Sequence, residues 1–419
     1  MGPVASSLAR RRPRCSRLLD KVDGQNDPRA SVRDRSRATV VAKLREHGRV
    51  SQAQIARETG LSRTTVSGVV GELRDRGLLD EVDQGDRQPQ SGRRGGRPPV
   101  VISLTHLAGA VIGIDFGHSH VRVMAADFGH SVLAERERQL AVDADAVGAL
   151  DGAAELVEEV IRDAGLERSM VLGAAMGIPG PVDRERGTIA SKSILPDWVG
   201  VHAAEEIGRR IGLPVEVDND ANLGALAEYT IGAGQGCSEL AYLKLSTGIG
   251  CGLVLRGHAY RGAGGIAGEL GHTCIDEGGP YCYCGNRGCL ETLVGGSAIV
   301  GMLRRTYGDD LTLGSVLAMA AEGEAACRRA IQDAGRHVGV AVANLCNLLN
   351  PQRVVVGGQL SLAADLLLDP LRDSFRRYAV QAAAESVEIV AGELGERAEV
   401  IGALALGMRS FEPVLAGHP

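Results

Sequence analysis

Between Gly271 and Cys289 the chain places His272, Cys282, Cys284 and Cys289, in the run Cys282-Tyr283-Cys284-Gly285-Asn286-Arg287-Gly288-Cys289. Three thiols and one imidazole make a closed tetrahedral set suited to structural zinc, and the interleaved glycines let a short loop wrap an ion. The one-residue gap between Cys282 and Cys284 is tighter than the usual knuckle spacing, and buried unligated cysteines are the alternative. The chain has nine cysteines, an odd count, so a reduced compartment with a metal site is expected rather than a disulfide framework. The other six, Cys15, Cys237, Cys251, Cys274, Cys327 and Cys346, read as ordinary small side chains.

Charge divides the chain in two. Residues 1–104 hold 21 Lys+Arg against 12 Asp+Glu, while the remainder holds 25 against 40, for a total of −6. A basic front on an acidic body argues against one homogeneous enzyme domain. The longest uncharged apolar run, Val100 to Ile114, is broken by Ser103, Thr105 and His106, so no membrane-spanning helix is expected. Arg10, Arg11, Arg12, Arg14 and Arg17 are followed by no apolar core segment, so a secretory signal is not expected and a cytoplasmic protein is. Aromatics are only 3%, too few for a base-stacking surface.

Residues 1–35, rich in Arg, Ser, Asp and Pro, predict a disordered basic tail. From Arg37 the pattern turns helical, with Val40, Val41 and Leu44 on one face and Gly48 as C-cap. Ser51 and Gln54 predict a capping box for a second helix that stops at Gly60. Ser62 caps a third, with Val66, Val69, Val70 and Leu73 inward and Gly77 closing it. Two short helices around a glycine turn are the helix-turn-helix arrangement. Gln52, at the start of the second helix, and Arg63, Thr64, Thr65 and Ser67, at the start of the third, suit base-edge and phosphate contacts in a major groove. Glu72 and Arg74 are the polar residues further along. The segment from Gly92 to Pro99 carries Arg93, Arg94 and Arg97 and predicts a β-hairpin wing that reaches phosphates or the minor groove. The unit 36–104 is thus a winged helix for operator DNA, with a three-helix unit of no DNA role as the alternative.

The body alternates strands and helices as in an α/β domain: strands over Val111–Phe116, Val121–Asp127, Val132–Leu140 and Met170–Met176, and a helix over Ala146–Ala164. A similar hairpin recurs where Leu240–Leu245 runs through the turn Ser246 to Gly252 into Leu253–Arg256. Two glycine hairpins, each opening an α/β segment, suggest a duplicated fold with a cleft between its halves. The segment Glu216 to Asn222, after a strand ending at Val215, offers a carboxylate able to accept a hydroxyl proton, though Asp and Asn also cap helices. Asp115 can hold magnesium through water, and Ser119 and Thr247 sit where hairpin N–H groups can cradle phosphates. Hairpin turns need glycine in any case. Gly357 and Gly358, after the apolar run Val354–Val356, are a further close-approach pair.

With the cysteine motif, the Asn-Asp pair, both hairpins and Gly-Ile-Pro-Gly-Pro-Val-Asp at 177–183 in order, residues 105–412 resemble the ROK family (repressors, open reading frames, kinases). The preceding winged helix matches the layout of that family's regulators. The resemblance implies a two-lobed actin/hexokinase-like (ribonuclease H-like) fold with sugar and nucleotide in the cleft. It implies Asp220 as base toward a sugar hydroxyl and Asn219, Glu269, His272 and Glu291 as sugar contacts, with His272 also serving zinc. Asp115, Gly117 and Ser119 correspond to the first phosphate hairpin and Thr247, Gly248 and Gly250 to the second. The chain departs from the pattern at His118, where kinases carry glycine, and at Ser119 in place of threonine. A side chain at a close-approach glycine is expected to obstruct phosphate or strain the turn. The resemblance therefore implies a sugar-responsive regulator, most often a repressor, acting on two half-sites as a homodimer or homotetramer. A sugar kinase using Mg-ATP is the second reading, and a ligand-free dimerisation scaffold the third.

Overall fold

The structure is a computed structural model that describes residues 32–82, 100–183, 188–189 and 195–411. Arg93, Arg94 and Arg97 and residues 1–31 lie outside the described residues.

The N-terminal unit runs α1 (Val32–His47), β1 (Arg49–Ser51), α2 (Gln52–Thr59), α3 (Arg63–Asp75), β2 (Leu79–Val82) and β3 (Val101–Leu104). Its strands form an antiparallel sheet in the order β1-β3-β2, with β2 and β3 pairing on either side of the segment expected to be the wing. α1 opens at Val32, so 32–35 belong to the helix rather than to the tail. Val40, Val41, Leu44, Ile55, Val66, Val69, Val70 and Leu73 are buried together, and each such aliphatic burial stabilises by roughly 1.5–3 kcal/mol. Ser51 Oγ accepts the Gln54 N–H and Ser62 Oγ the Thr65 N–H, which fixes the starts of α2 and α3. The capping box at Ser51 is only half made, because the Gln54 amide turns outward to Glu58 Oε1 at 2.9 Å. Gly48 closes α1 at φ +64°, and a Cβ there would lie 2.7 Å from the His130 ring, so glycine is required twice over.

The body contains two five-stranded sheets of one topology. The first uses β4 (Ala110–Phe116), β5 (His120–Asp127), β6 (Val132–Gln139), β7 (Val171–Ile178) and, past the short hairpin β8 (Val182–Asp183) and β9 (Thr188–Ile189), β10 (Val215–Asn219). Its order is β10-β7-β4-β5-β6. The second uses β11 (Leu240–Leu245), β12 (Ile249–Leu255), β13 (His258–Tyr260), β14 (Arg353–Gly357) and β15 (Glu388–Ala391), in the order β13-β12-β11-β14-β15. In each, the first strand pairs antiparallel with its hairpin partner and parallel with the fourth along the chain. The duplication inferred from two glycine hairpins is therefore a duplication of topology. Two boundaries differ most from expectation. β12 begins at Ile249, inside the segment read as turn, and β10 continues through Asn219 rather than ending at Val215.

α4 (Ala146–Asp163) and α5 (Ala203–Ile211) share the core of the first lobe. α6 (Asp220–Ile231) lies between the sheets. The second lobe adds α7 (Leu290–Val294), α8 (Gly296–Tyr307), α9 (Leu313–Ala321), α10 (Ala325–Leu349), α11 (Asp365–Tyr378) and α12 (Gln381–Ser386). The last helix, α13 (Ala398–Ser410), packs on α6, β4 and β7. Fully buried Glu228 of α6 accepts the N–H groups of Ala233, Glu393 and Leu394, fastening α6 to the segment that leads into α13. Among the described residues no helix is long and apolar enough to cross a membrane.

Candidate functional site

A cleft of about 650 Å³ lies between the lobes, lined by both glycine hairpins, the start of α6 and the cysteine-bearing loop. Asp220 is the first residue of α6. Its Oδ1 accepts the Ala221 N–H at 2.8 Å and the Asn219 amide at 3.0 Å, and its Oδ2 accepts Lys244 Nζ at 2.8 Å. Asn219 is the helix cap, its Oδ1 accepting the Asn222 N–H at 3.2 Å while its amide also reaches Gly180 O. Capping and cleft-lining thus coincide in one residue. Beneath them the buried Asp218 is held by Arg261 and the Asn222 amide, which leaves Asn222 Oδ1 buried without a partner.

Lys244 and Glu399 escaped the sequence reading. Lys244 is the lone charge in the apolar strand Leu240–Leu245, and Glu399 the only acid of α13. Each signal was a single ionisable residue inside a run that burial would otherwise keep apolar. Lys244 Nζ stands 3.6 Å from Glu399 Oε1, which also accepts the Tyr242 hydroxyl at 3.3 Å. Burial pushes the Lys244 ammonium down, but the Asp220, Glu399 and Asp115 carboxylates outweigh it and hold the pKa above the ordinary lysine value. Burial pushes Glu399 up to about 7 against the opposing pull of Lys244.

Asp115, at the end of β4, is buried with Oδ1 unpartnered and Oδ2 3.4 Å from His120 Nε2. Its burial is offset by His120, Lys244 and Arg122, so its carboxyl lies below the usual value. The expected strain at His118 is not found. His118 stays out of the left-handed region, and its Nδ1 pairs with the Asp143 carboxylate at 2.9 and 3.0 Å. Gly117 is covered by the His120 ring, so the first hairpin presents two imidazoles beside Ser119 at the cleft.

The glycines of the second hairpin have packing reasons of their own. A Cβ on Gly248 would meet Glu291 Oε2 at 2.5 Å, and that oxygen accepts the Ile249 N–H at 2.8 Å. Gly250 faces Ala221 of α6, and Gly358, at φ +77°, crosses the Leu245 backbone. Thr247, Gly248, Gly250 and Gly358 line the cleft, whereas Gly357 packs on the Tyr242 ring behind it.

Glu269, His272 and Glu291 also line the cleft. The His272, Cys282, Cys284 and Cys289 ligand atoms lie within 4.8 Å of one another. Cys282 Sγ is 3.5 Å from His272 Nδ1 and Cys284 Sγ 3.7 Å from Cys289 Sγ. Those spacings fit the edges of a tetrahedron with metal–sulfur bonds of about 2.3 Å. The donor set can therefore hold a metal ion. His272 Nε2 faces away from the thiols, 3.3 Å from the Tyr283 hydroxyl and 3.8 Å from Glu269 Oε2. One imidazole thus joins the cysteine loop to the cleft wall.

On the N-terminal unit Arg63, Thr64 and Ser67 are exposed at the start of α3, and Gln52 half-exposed on α2. Thr65 is drawn into the cap, its hydroxyl 2.8 Å from Ser62 Oγ. Glu72 and Arg74 are engaged within the unit: Glu72 holds Arg33, Arg37 and Arg76, and Arg74 pairs with Glu81 at the surface.

The ROK family profile matches residues 111–409, spanning both sheets and α13. The chain belongs to the ROK family. A MarR family profile matches residues 34–88, so this ROK protein carries a MarR-type winged helix before its actin/hexokinase-like body. It is 30% identical over 370 residues to the xylose repressor of Caldicellulosiruptor bescii, covering 85% of this chain and 91% of that one. It is 29% identical over 394 residues to the transcriptional dual regulator NagC of Escherichia coli, covering 91% and 94%. Among solved structures, a ROK family transcriptional regulator homologous to the E. coli MLC protein superposes with a TM-score of 0.70 at 26% identity, covering 89% of this chain and 96% of that chain. A ROK family glucokinase from Streptomyces griseus, solved with glucose and AMPPNP, gives 0.64 at 29% identity over 71% of this chain and 99% of the other.

Proposed function

We propose that this ROK protein is a sugar-responsive transcriptional repressor of the cytoplasm. Residues 32–104 form the DNA reader, and the body from 105 onward binds a sugar or sugar derivative between its lobes. The observation that carries this reading is the fusion, in one chain, of an exposed α3 amino end to a cleft lined by Asn219, Asp220, Glu269, His272 and Glu291. The similarity to a xylose repressor and to a DNA-binding transcriptional dual regulator, along some nine-tenths of their length, supports it.

In this mechanism sugar hydroxyls donate to Asp220, Glu269 and Glu291, and His272 Nε2 supplies a further polar contact. His272, Cys282, Cys284 and Cys289 would hold a structural zinc ion, which fixes the cysteine loop and the orientation of the imidazole. Sugar binding draws the lobes together and changes the spacing of two readers in a homodimer or homotetramer over two operator half-sites. Arg63, Thr64, Ser67, Thr65 and Gln52, with Arg93, Arg94 and Arg97 of the wing, would contact that DNA. Electrophoretic mobility shift on the region upstream of the protein's own coding sequence, with a sugar panel, tests the reading. A retarded complex that one sugar dissolves is expected; no complex at moderate salt refutes it.

An ATP-dependent sugar kinase is the second reading, favoured by Asp220 standing at the start of α6 as a candidate base. Two features weigh against it. Lys244 already occupies Asp220 Oδ2, and imidazoles fill the first hairpin. A coupled ADP-release assay with hexoses and N-acetylhexosamines is expected to show no turnover. Turnover abolished by Asp220→Asn would reverse the order.

A further inference from the structure

α13 touches the cleft at one end and the DNA reader at the other. In its first turn Glu399 lies beside Lys244, the same ammonium that holds Asp220. In its last turn the Met408 and Arg409 carbonyls receive Arg45 of α1. Arg45 Nε and Nη2 donate to Met408 O at 2.9 and 2.7 Å, and Nη2 donates to Arg409 O at 2.9 Å. The final carbonyls of a helix lack intrahelical partners and carry the negative end of its dipole, so a guanidinium there satisfies both. Arg45 is fixed from two further sides. Its guanidinium lies 5.9 Å over the Phe128 ring, and its own carbonyl pairs with His130 Nε2 at 2.8 Å. Val400, Leu404 and Met408 share one apolar cluster with Val40, Val41 and Leu44 of α1.

We infer that Arg45 is a positioning residue of the DNA reader, and that α13 is the strut through which occupancy of the cleft sets the reader's orientation. A sugar hydroxyl donating to Asp220 Oδ2 competes with Lys244 for that oxygen. The other carboxylate paired with Lys244 is Glu399, so the displaced ammonium moves toward α13. A helix resists compression because shortening it breaks its own hydrogen bonds, so a shift imposed on Glu399 arrives at Met408. There Arg45 hands it to α1, whose ion pairs from Arg33 and Arg37 to Glu72 hold α3.

This inference rests on the cleft being the effector site, and the test separates the two. With the full-length protein, sugar affinity is measured by calorimetry with D-glucose, D-xylose and N-acetyl-D-glucosamine. DNA affinity is measured separately by fluorescence anisotropy on the upstream duplex, with and without each sugar. In the unaltered protein the active sugar should change DNA affinity by about fivefold or more, the range of ordinary allosteric coupling. Arg45→Met should still bind that sugar and that DNA, yet lose the sugar-dependent change. Arg45→Lys, which keeps the charge and part of the donor set, should restore some of it. An Arg45→Met protein that responds as the unaltered one does overturns the inference. If Arg45→Met fails to fold, amide exchange on the unaltered protein decides: sugar should alter protection at 43–50 and 404–411, and a response confined to the cleft overturns it. Failure of the effector-site reading shows earlier, as an unaltered protein whose DNA affinity no sugar changes, and it takes this inference with it.

Discussion

Lys244 Nζ and Asp220 Oδ2 lie 2.8 Å apart on the floor of the cleft, with both side chains nearly closed off from solvent. Removing one member of an isolated buried pair costs roughly 3–5 kcal/mol and removing both together far less, and here Glu399 beside Lys244 offsets part of the single loss. Asp220→Asn should therefore lower the melting temperature, and adding Lys244→Met should recover much of the loss. Thermal denaturation of the four proteins of the cycle checks this. Additive losses would mean the two side chains do not act as a pair. Asp220→Asn should also weaken sugar binding by about tenfold or more, since a hydrogen bond to a charged acceptor contributes roughly 1.5–3 kcal/mol.

The cysteine loop predicts about one zinc per chain by elemental analysis. Cys284→Ser should lose the ion. Because His272 turns its second nitrogen into the cleft, the same variant should bind sugar roughly 10- to 100-fold more weakly. Metal-free protein with unaltered sugar affinity would separate the two roles of His272.

At the reader, Arg63→Ala should weaken DNA binding about equally across sequences and lower the slope of log affinity against log salt by about one, as for a lost phosphate contact. Ser62→Ala should behave differently. It removes the cap that accepts the Thr65 N–H, so it should cost about 1 kcal/mol of stability and leave the salt slope unchanged.

The contact between reader and body carries a pH dependence. Burial lowers the pKa of His130 below the ordinary imidazole value, and Arg409, His47 and Arg49 add to the effect against its bond with the Arg45 carbonyl. The unfolded chain then binds the extra proton more readily than the folded one, so stability is full above about pH 6.5 and falls as pH drops below it. Melting temperatures from pH 7.5 to 5 should decline, and His130→Asn should flatten the decline. Asparagine tolerates the positive φ of 63° at this position.

Local chemistry was legible in the sequence, and long-range partners were not. Ser51, Ser62, Gly48 and Gly60 announced their caps because a cap is settled within three or four residues. The cysteine set was legible for the same reason. Gln54 was misread because its amide donates to Glu58, one turn ahead, rather than its carbonyl turning back to the Ser51 N–H. His118 was expected to strain its turn, but its backbone stays out of the left-handed region and its side chain pairs with Asp143, 25 residues on. Glu399 lies 155 residues beyond Lys244, and no periodicity links a lone lysine in a strand to a lone acid in a helix. Likewise Arg45 meets its partners 363 and 364 residues away, a pairing that only the folded chain reveals.

The apolar cluster that runs from Val40 through Met124 and Phe128 to Met408 has no seam between reader and body. Such a reader is not an interchangeable cassette. Grafted onto an unrelated body it would arrive with bare aliphatic surface and an unanswered Arg45, so recombination within this architecture should preserve α1 and α13 as a matched pair, inherited or lost together.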